Sequence, residues 1–188
     1  MSRVALVIIS GILLLYPVLV FFGLQHLQPR YIGLILVVAL LSRLLLVKVK
    51  MNIAALRSLM PATVAGGVCC LLILLSNDPL MVRANPIIVN VAMLLLFTFS
   101  LFKPPSMIER FARLTQPDLP TQGVIYTRQV TKVWCWFFLF NGIAASYTTF
   151  FCSLEVWTWY NGLIAYLIMA LIFGIEYLAR QRVMRANT

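Results

Sequence analysis

The chain of 188 residues has few groups suited to acid-base or metal chemistry: five Asp and Glu residues, one His and four Cys. An acid-base enzyme would need His26, Asp78 and Glu155, which stand in separate short segments between apolar runs, to converge on one cavity. No spacing marks a nucleophile beside them. The chain also lacks a glycine-rich phosphate loop, a His or Cys metal cluster and a nucleic-acid-binding motif. The sequence therefore predicts no catalytic residue, no metal, no cofactor and no nucleic-acid partner.

The four cysteines are too scattered to form a disulfide framework. Cys69 and Cys70 are adjacent, so they point to different faces of a helix and are poorly placed to share a metal ion. Cys135 and Cys152 stand near opposite ends of one apolar run, and only Cys152 would meet an oxidising compartment. We expect small buried side chains and no intramolecular disulfide.

Charged residues make up 11% of the chain and hydrophobic residues 62%, a balance that leaves a water-soluble fold unable to cover its surface. The hydrophobic residues form six long runs. Each is about long enough to cross roughly 30 Å of hydrocarbon at ~1.5 Å per helical residue. The predicted fold is all-α, a single membrane domain over 1–188 with six transmembrane helices at 4–24, 31–47, 59–76, 85–102, 133–153 and 157–178.

The positive charge falls mainly in alternate gaps between these runs. Arg30 and Arg83 lie on one side of the predicted topology. The other side holds the remaining 13 of the 15 Lys and Arg residues: Arg3, Arg43, Lys48, Lys50, Arg57, Lys103, Arg110, Arg113, Arg128, Lys132, Arg180, Arg182 and Arg185. The positive-inside rule then places both termini in the cytoplasm. We expect the first run to be a retained span, because it is too long for a signal peptide and no cleavage site follows it.

The predicted cytoplasmic loop 103–132 begins with a helix signal. Pro104 and Pro105 end the fourth span, and Ser106 with Glu109 has capping-box spacing. The apolar residues of 107–114 recur at helical spacing: Met107, Ile108, Phe111 and Leu114. This pattern predicts a short helix lying in the inner headgroup layer, and an ordinary connector helix in water is the alternative.

Basic and aromatic residues near this loop are the predicted contacts for anionic lipid or an acidic partner. Arg110 and Arg113 extend from the short helix, and Trp134 and Trp136 belong to an aromatic belt at the membrane boundary. The full set is Arg110, Phe111, Arg113, Arg128, Trp134 and Trp136. In the simpler interpretation, the arginines only determine topology.

Asn90 and Asn141 are polar residues inside the fourth and fifth predicted spans. They could line a pocket for a headgroup or small solute, or they could hydrogen-bond between helices, and the second interpretation is favoured. No ionisable residue lies at the middle of a span, which weighs against an ion-coupled transporter. Glu176 is the nearest case, and we expect it to pair with Arg180 one turn later.

Six short motifs follow one another along the chain: Tyr-Pro-Val-Leu-Val-Phe-Phe at 16–22, Ser-Asn-Asp at 76–78, Lys-Pro-Pro-Ser-Met-Ile-Glu-Arg-Phe at 103–111, Leu-Pro at 119–120, Trp-Cys-Trp-Phe-Phe at 134–138 and Asn-Gly at 141–142. In this order they resemble the motifs of a bacterial inner-membrane family, the septation proteins of the YciB (intracellular septation protein A) type. The similarity runs along nearly the whole chain. It implies a small polytopic inner-membrane protein connected with envelope synthesis and septation, through contacts with elongation and division proteins.

Two positions depart from the family pattern and indicate a divergent member. The family usually has a further Asn where this chain reads Ala-Ala-Ser-Tyr at 144–147, and a basic residue where this chain has Asn161. These departures bear on whether partners or ligands are shared, and they suggest a branch serving a lipid or polyene biosynthetic pathway. The resemblance supplies no catalytic residues.

The sequence therefore predicts a non-catalytic membrane protein that supports envelope biogenesis by binding lipids or partner proteins. A lipid or small-molecule transporter is the alternative, and it would show a continuous polar cavity near mid-membrane. The partner, the ligand and any association into a homo-oligomer are left open.

Overall fold

The computed structural model describes residues 20–23, 28–35, 37–38, 67–68, 71–72 and 74–185. No strand occurs in these ranges, so the prediction of an all-α fold is confirmed for them. From residue 79 onward the elements are α1 (Pro79–Phe102), α2 (Met107–Thr115), α3 (Thr121–Phe151), α4 (Leu154–Trp159), a π-helical segment (Tyr160–Ile164) and α5 (Ala165–Arg185).

Helix α1 begins earlier than the hydrophobic run indicated. Asp78 is its N-cap, and the Asp78 carboxylate accepts a hydrogen bond from the Leu80 amide at 2.8 Å, while Pro79 occupies the first turn. Asn77 precedes the cap at φ 49°, in the left-handed region that Asn tolerates better than most residues. The helix ends at Phe102, ahead of Pro104 and Pro105 as predicted.

The segment predicted as a cytoplasmic loop is largely helical. Helix α2 coincides with the predicted short helix, and Ser106 with Glu109 forms the capping box: the Ser106 amide donates to the Glu109 carboxylate at 3.3 Å. Helix α3 then starts at Thr121, about three turns before the predicted fifth span. Its first turns carry Arg128 and Lys132. These charged residues lie before the apolar run, but the helix includes them.

Helix α3 and the helical stretch that follows it form a hairpin. Ser153 caps α4 by accepting from the Val156 amide at 3.4 Å, and α4 continues through the π-helical segment into α5. A π-helical insertion adds a residue to one turn, so neighbouring positions share a face that an α-helix would separate. Here the turn directs both Tyr160 and Asn161 to contacts on α3.

Two helical stretches of the described residues are long and apolar enough to cross a membrane, Pro79–Phe102 and Leu154–Gln181. Only 17% and 6% of their most apolar windows are buried inside the protein, unlike the core helices of a soluble fold. These helices are compatible with a membrane location. The first three predicted spans fall mostly outside the described residues, and the fifth lies in α3, which does not meet the same criterion.

Helix α1 packs along α3, with a separate group of interacting residues at each end. The first group, here called the Arg83 end, consists of Val82, Arg83, Asn90, Asn141, Thr148, Thr149, Trp157, Tyr160 and Asn161. The second group, here called the Tyr126 end, consists of Phe97, Met107, Tyr126, Val130, Trp134, Phe137, Phe138, Phe173, Glu176 and Arg180. Gly142 allows the close approach of α1 and α3, because a Cβ there would lie 3.3 Å from the Asn90 Cβ.

Candidate functional site

A cavity of about 820 Å³ opens at the Tyr126 end, between α2, the first turns of α3 and the last turns of α5. This volume is in the range of small-ligand pockets. Its walls are mainly apolar and aromatic, with some polar groups. They include Ile108, Phe111, Leu119, Val130, Trp134 and Phe173, together with Tyr126, Thr127, Glu176 and Arg180.

Trp134 forms the floor of the cavity. Its side chain is 5% exposed and its ring lies 4.7 Å from the Phe173 ring, between centroids, so it joins α3 to α5. The prediction placed Trp134 in a belt at the membrane boundary, whereas the structure buries it against α5. Trp136, two residues on, points to another face of the helix, is 59% exposed and stacks on Phe140.

Tyr126 hydrogen-bonds to the acidic residue that lines the cavity, Glu176. Its hydroxyl lies 3.0 Å from the Glu176 main-chain oxygen and 3.3 Å from a Glu176 carboxylate oxygen, and it donates to this residue. Burial, the Glu176 charge and this hydrogen bond raise the pKa of Tyr126 from 10.0 to about 12, while Arg180 opposes the shift. The phenol is therefore neutral at physiological pH, and it holds the Glu176 carboxylate at the cavity wall.

The predicted ion pair between Glu176 and Arg180 is not formed. Among the described residues the ion pair is Glu109 with Arg113, whose Nη2 lies 2.8 Å from the carboxylate. Arg113 also donates to the Pro117 carbonyl at 2.9 Å, which ties the turn after α2 to the helix. Glu109 itself is buried.

The other two arginines predicted to contact lipid phosphate also donate to main-chain carbonyls. Arg110 Nε donates to the Pro105 oxygen at 2.8 Å, and Arg128 Nη2 donates to the Leu101 oxygen at 3.2 Å. Both bonds satisfy carbonyls at or just beyond the end of α1, where the helix dipole favours a cation. A guanidinium has five N–H donors, so each arginine keeps donors for an external anion. Phe111, on the same helix as Arg110, is 37% exposed and lines the cavity.

At the Arg83 end the two predicted polar residues meet. Asn141 Nδ2 donates to Asn90 Oδ1 at 3.0 Å, and Asn90 Nδ2 donates to the Pro86 carbonyl at 2.8 Å. Tyr160 completes the chain by donating to Asn141 Oδ1 at 3.0 Å. Asn90 and Asn141 are both buried. They therefore form the interhelical hydrogen bond of the favoured interpretation and do not face an open pocket.

Arg83 was predicted to lie in a loop, but it belongs to α1 and reaches the end of α3. Its Nη2 donates to the carbonyls of Thr148 and Cys152 at 3.0 and 2.8 Å. Its own carbonyl accepts from Trp157 Nε1 and from the Thr149 hydroxyl, each at 3.1 Å. A cation at a helix C-terminus interacts favourably with the dipole, so this arginine joins three helices.

The remaining candidates for chemistry do not assemble into a site within the described residues. Asp78 caps α1, Glu155 is exposed in the first turn of α4, and His26 lies outside the described residues. No group of three His, Cys, Asp or Glu side chains in the described part of the chain is placed to hold a metal ion.

Comparison with known protein families, with curated proteins and with solved structures finds no match to this chain.

The sequence interpretation missed the grouping of Tyr126, Glu176 and Arg180 around one cavity. Glu176 and Arg180 are four residues apart, a spacing that predicts a shared face of a helix. Tyr126 is 50 positions away, and no local pattern in the sequence links it to α5. The role of Arg83 was missed because it stands before the main apolar run, although Asp78 and Pro79 are a recognisable start of a helix that includes it.

Proposed function

We propose that this protein is a multi-pass inner-membrane protein of the bacterial cell envelope that binds lipids or partner proteins at its Tyr126 end and catalyses no reaction. The observation that carries this proposal is the cavity, with its apolar floor and its charged residues. Pockets of this kind take ligands that combine an apolar body with a polar group. A role in envelope synthesis and septation follows from the family resemblance described above.

The basic surface near the cavity supports the same proposal. Lys103, Arg110, Arg113 and Arg128 stand close to α2 in sequence, and anionic lipid attracts each such residue by about 1 kcal/mol near the membrane surface. In the proposed topology this end faces the cytoplasm. A reporter enzyme active only in the periplasm should therefore be silent when fused after Thr188 and active when inserted near Asn77.

Binding is favoured over transport by the contacts between α1 and α3. A transporter should offer polar groups to a path through the membrane. Asn90 and Asn141 are instead buried and hydrogen-bonded to each other. The cavity lies at the opposite end of the helix pair from this polar chain.

Lipid retention during purification tests the proposal. The full-length protein is extracted in mild detergent, washed extensively, and analysed for bound lipid by native mass spectrometry. Phe111→Ala removes a cavity wall, and Phe140→Ala removes an equally aromatic side chain from the exposed surface of α3. Wild type and Phe140→Ala should retain lipid, and Phe111→Ala should retain several-fold less. A wild-type protein without retained lipid, or equal loss in both variants, contradicts lipid binding at this cavity.

A further inference from the structure

Two side chains of opposite charge lie at the cavity without pairing with each other. Glu176 and Arg180 are one turn apart on α5 and both line the cavity. The ion pair formed among the described residues is Glu109 with Arg113, so Glu176 and Arg180 are not joined at ion-pair distance. Two adjacent opposite charges that are not paired with each other are a binding arrangement for a ligand that itself carries both signs.

The carboxylate is held in place by the protein. Tyr126 lies 3.3 Å from Glu176 Oε1 and 3.0 Å from the Glu176 main-chain oxygen, so one oxygen of the carboxylate has a fixed donor. The second oxygen, Oε2, accepts no hydrogen bond from the described residues. A preorganised carboxylate loses less side-chain entropy when it binds a cation.

The cavity floor is suited to hydrocarbon. Trp134 is buried on Phe173, and Val130 and Ile108 continue the apolar wall. An acyl chain against this floor would leave its headgroup at the side of Glu176 and Arg180. The cavity lining thus includes both the apolar and the charged groups that a phospholipid requires.

We propose that the cavity binds a phospholipid whose headgroup carries a primary ammonium beside its phosphate, with the phosphate on Arg180 and the ammonium on Glu176. Side chains four residues apart on a helix have Cβ atoms about 5–6 Å apart. This spacing suits a phosphate and an ammonium separated by a two-carbon bridge. The assignment rests on the proposed function, because it names the lipid that the same cavity takes.

The headgroup chemistry predicts selectivity. A quaternary ammonium has no N–H to donate to Glu176. A glycerol headgroup has no cation to place at Glu176, so its phosphate lies beside the carboxylate without a positive charge between them. A hydrogen bond to a charged group is strong enough to change affinity by about tenfold or more. Phosphatidylethanolamine should therefore bind about tenfold more tightly than phosphatidylcholine or phosphatidylglycerol with the same acyl chains.

The test is a native mass spectrometry titration of the full-length protein with these three lipids and with soluble phosphoethanolamine. Glu176→Gln should abolish the preference for phosphatidylethanolamine over phosphatidylcholine. Arg180→Gln should weaken all three lipids by about tenfold, because all three carry the phosphate. Glu155→Gln and Arg30→Gln make the same charge changes at the Arg83 end and should leave the affinities and the preference unchanged.

The outcomes separate the two proposals. Lipid binding without a headgroup preference, or a preference that survives Glu176→Gln in a protein with wild-type thermal stability, overturns this assignment and leaves lipid binding intact. Phosphoethanolamine binding as tightly as the lipid also overturns it, since the acyl chain would then contribute nothing. Failure to bind any of the lipids contradicts lipid binding itself.

Discussion

The Arg83 end and the Tyr126 end of the described helices differ in how their polar groups are satisfied. At the Arg83 end, side chains from α1, α3 and the π-helical segment donate to one another and to main-chain carbonyls, and Nε of the Arg83 guanidinium is buried without a partner among the described residues. At the Tyr126 end, Glu176 and Arg180 line a cavity, and the Tyr126 hydroxyl bonds from α3 to Glu176 on α5. Satisfied polar groups stabilise packing, whereas unpaired charges at a cavity are available to a ligand.

The largest difference between the ends should come from Trp157. This side chain is 0% exposed and donates to both Arg83 and Thr149, so Trp157→Ala leaves a cavity and removes two hydrogen bonds. We expect a loss of about 3–5 kcal/mol in unfolding free energy, measured by denaturant titration in detergent micelles. Trp159→Ala is the matched control, because Trp159 is 64% exposed on the same helix. Equal losses in the two variants would show that the Arg83 end is not a packed core.

A pair of arginine variants compares the two ends directly. Arg83→Leu removes two hydrogen bonds to carbonyls at the end of α3, and Arg128→Leu removes one longer bond at the end of α1. Charged hydrogen bonds contribute about 1.5–3 kcal/mol when buried, so the Arg83 variant should lower the unfolding free energy by about that amount. The exposed Arg128 variant should lose less than about 1 kcal/mol. A larger loss of unfolding free energy in Arg128→Leu than in Arg83→Leu would contradict the assignment of Arg83 to a structural role and of Arg128 to a charge available for binding.

The Asn90 to Asn141 hydrogen bond should show measurable coupling. In a double-mutant cycle with Asn90→Ala and Asn141→Ala, we expect an interaction free energy of about 1 kcal/mol, a magnitude typical of interhelical hydrogen bonds. Asn90→Ala combined with Trp159→Ala should be additive within about 0.5 kcal/mol. A cycle with no coupling would mean that each Asn contributes through its other partners, Pro86 and Tyr160.

The smallest effect should be a change of pH dependence at the Tyr126 end. The folded protein holds the Tyr126 proton more tightly than the unfolded chain, because the pKa rises from 10.0 to about 12. The stabilising contribution is therefore complete below pH 10 and is lost as the pH rises from 10 through about 12. The melting-temperature advantage of wild type over Tyr126→Phe should shrink over that interval.

Tyr177→Phe provides the control for this titration, because Tyr177 is 60% exposed on α5. Its melting temperature should follow that of wild type across the whole pH series. An advantage of wild type over Tyr126→Phe that is constant with pH would contradict the proposed environment of the phenol.

The helices of the described region were largely predictable, because hydropathy and capping are local properties. The short helix at 107–114 was found from Ser106, Glu109 and four apolar residues, and its observed bounds differ by one residue. The start of α3 was missed by about three turns. Its first residues are polar and aromatic, and a helix can extend beyond the apolar stretch when tertiary contacts, such as Tyr126 with Glu176, hold it.

The candidate site was predictable only in part. Phe111 and Trp134 were selected as contact residues, and both line the cavity, but for Trp134 the reason given was a boundary belt. Hydrophobic periodicity and amino-acid composition do not distinguish an aromatic residue at a membrane boundary from one buried against a neighbouring helix. The arginines near α2 were found from charge placement, whereas their bonds to carbonyls depend on where α1 ends in space.

By itself the sequence determined the helical class, the apolar segments and the positions of the caps, since these depend on residues within a few turns of one another. Only the tertiary structure decided that Asn90 bonds to Asn141, that Arg83 reaches the end of α3, and that Tyr126 holds Glu176. Each of these contacts joins residues about 50 or more positions apart. They form because buried polar groups must find partners across the helix packing, and the packing, not the local pattern, brings the partners within reach.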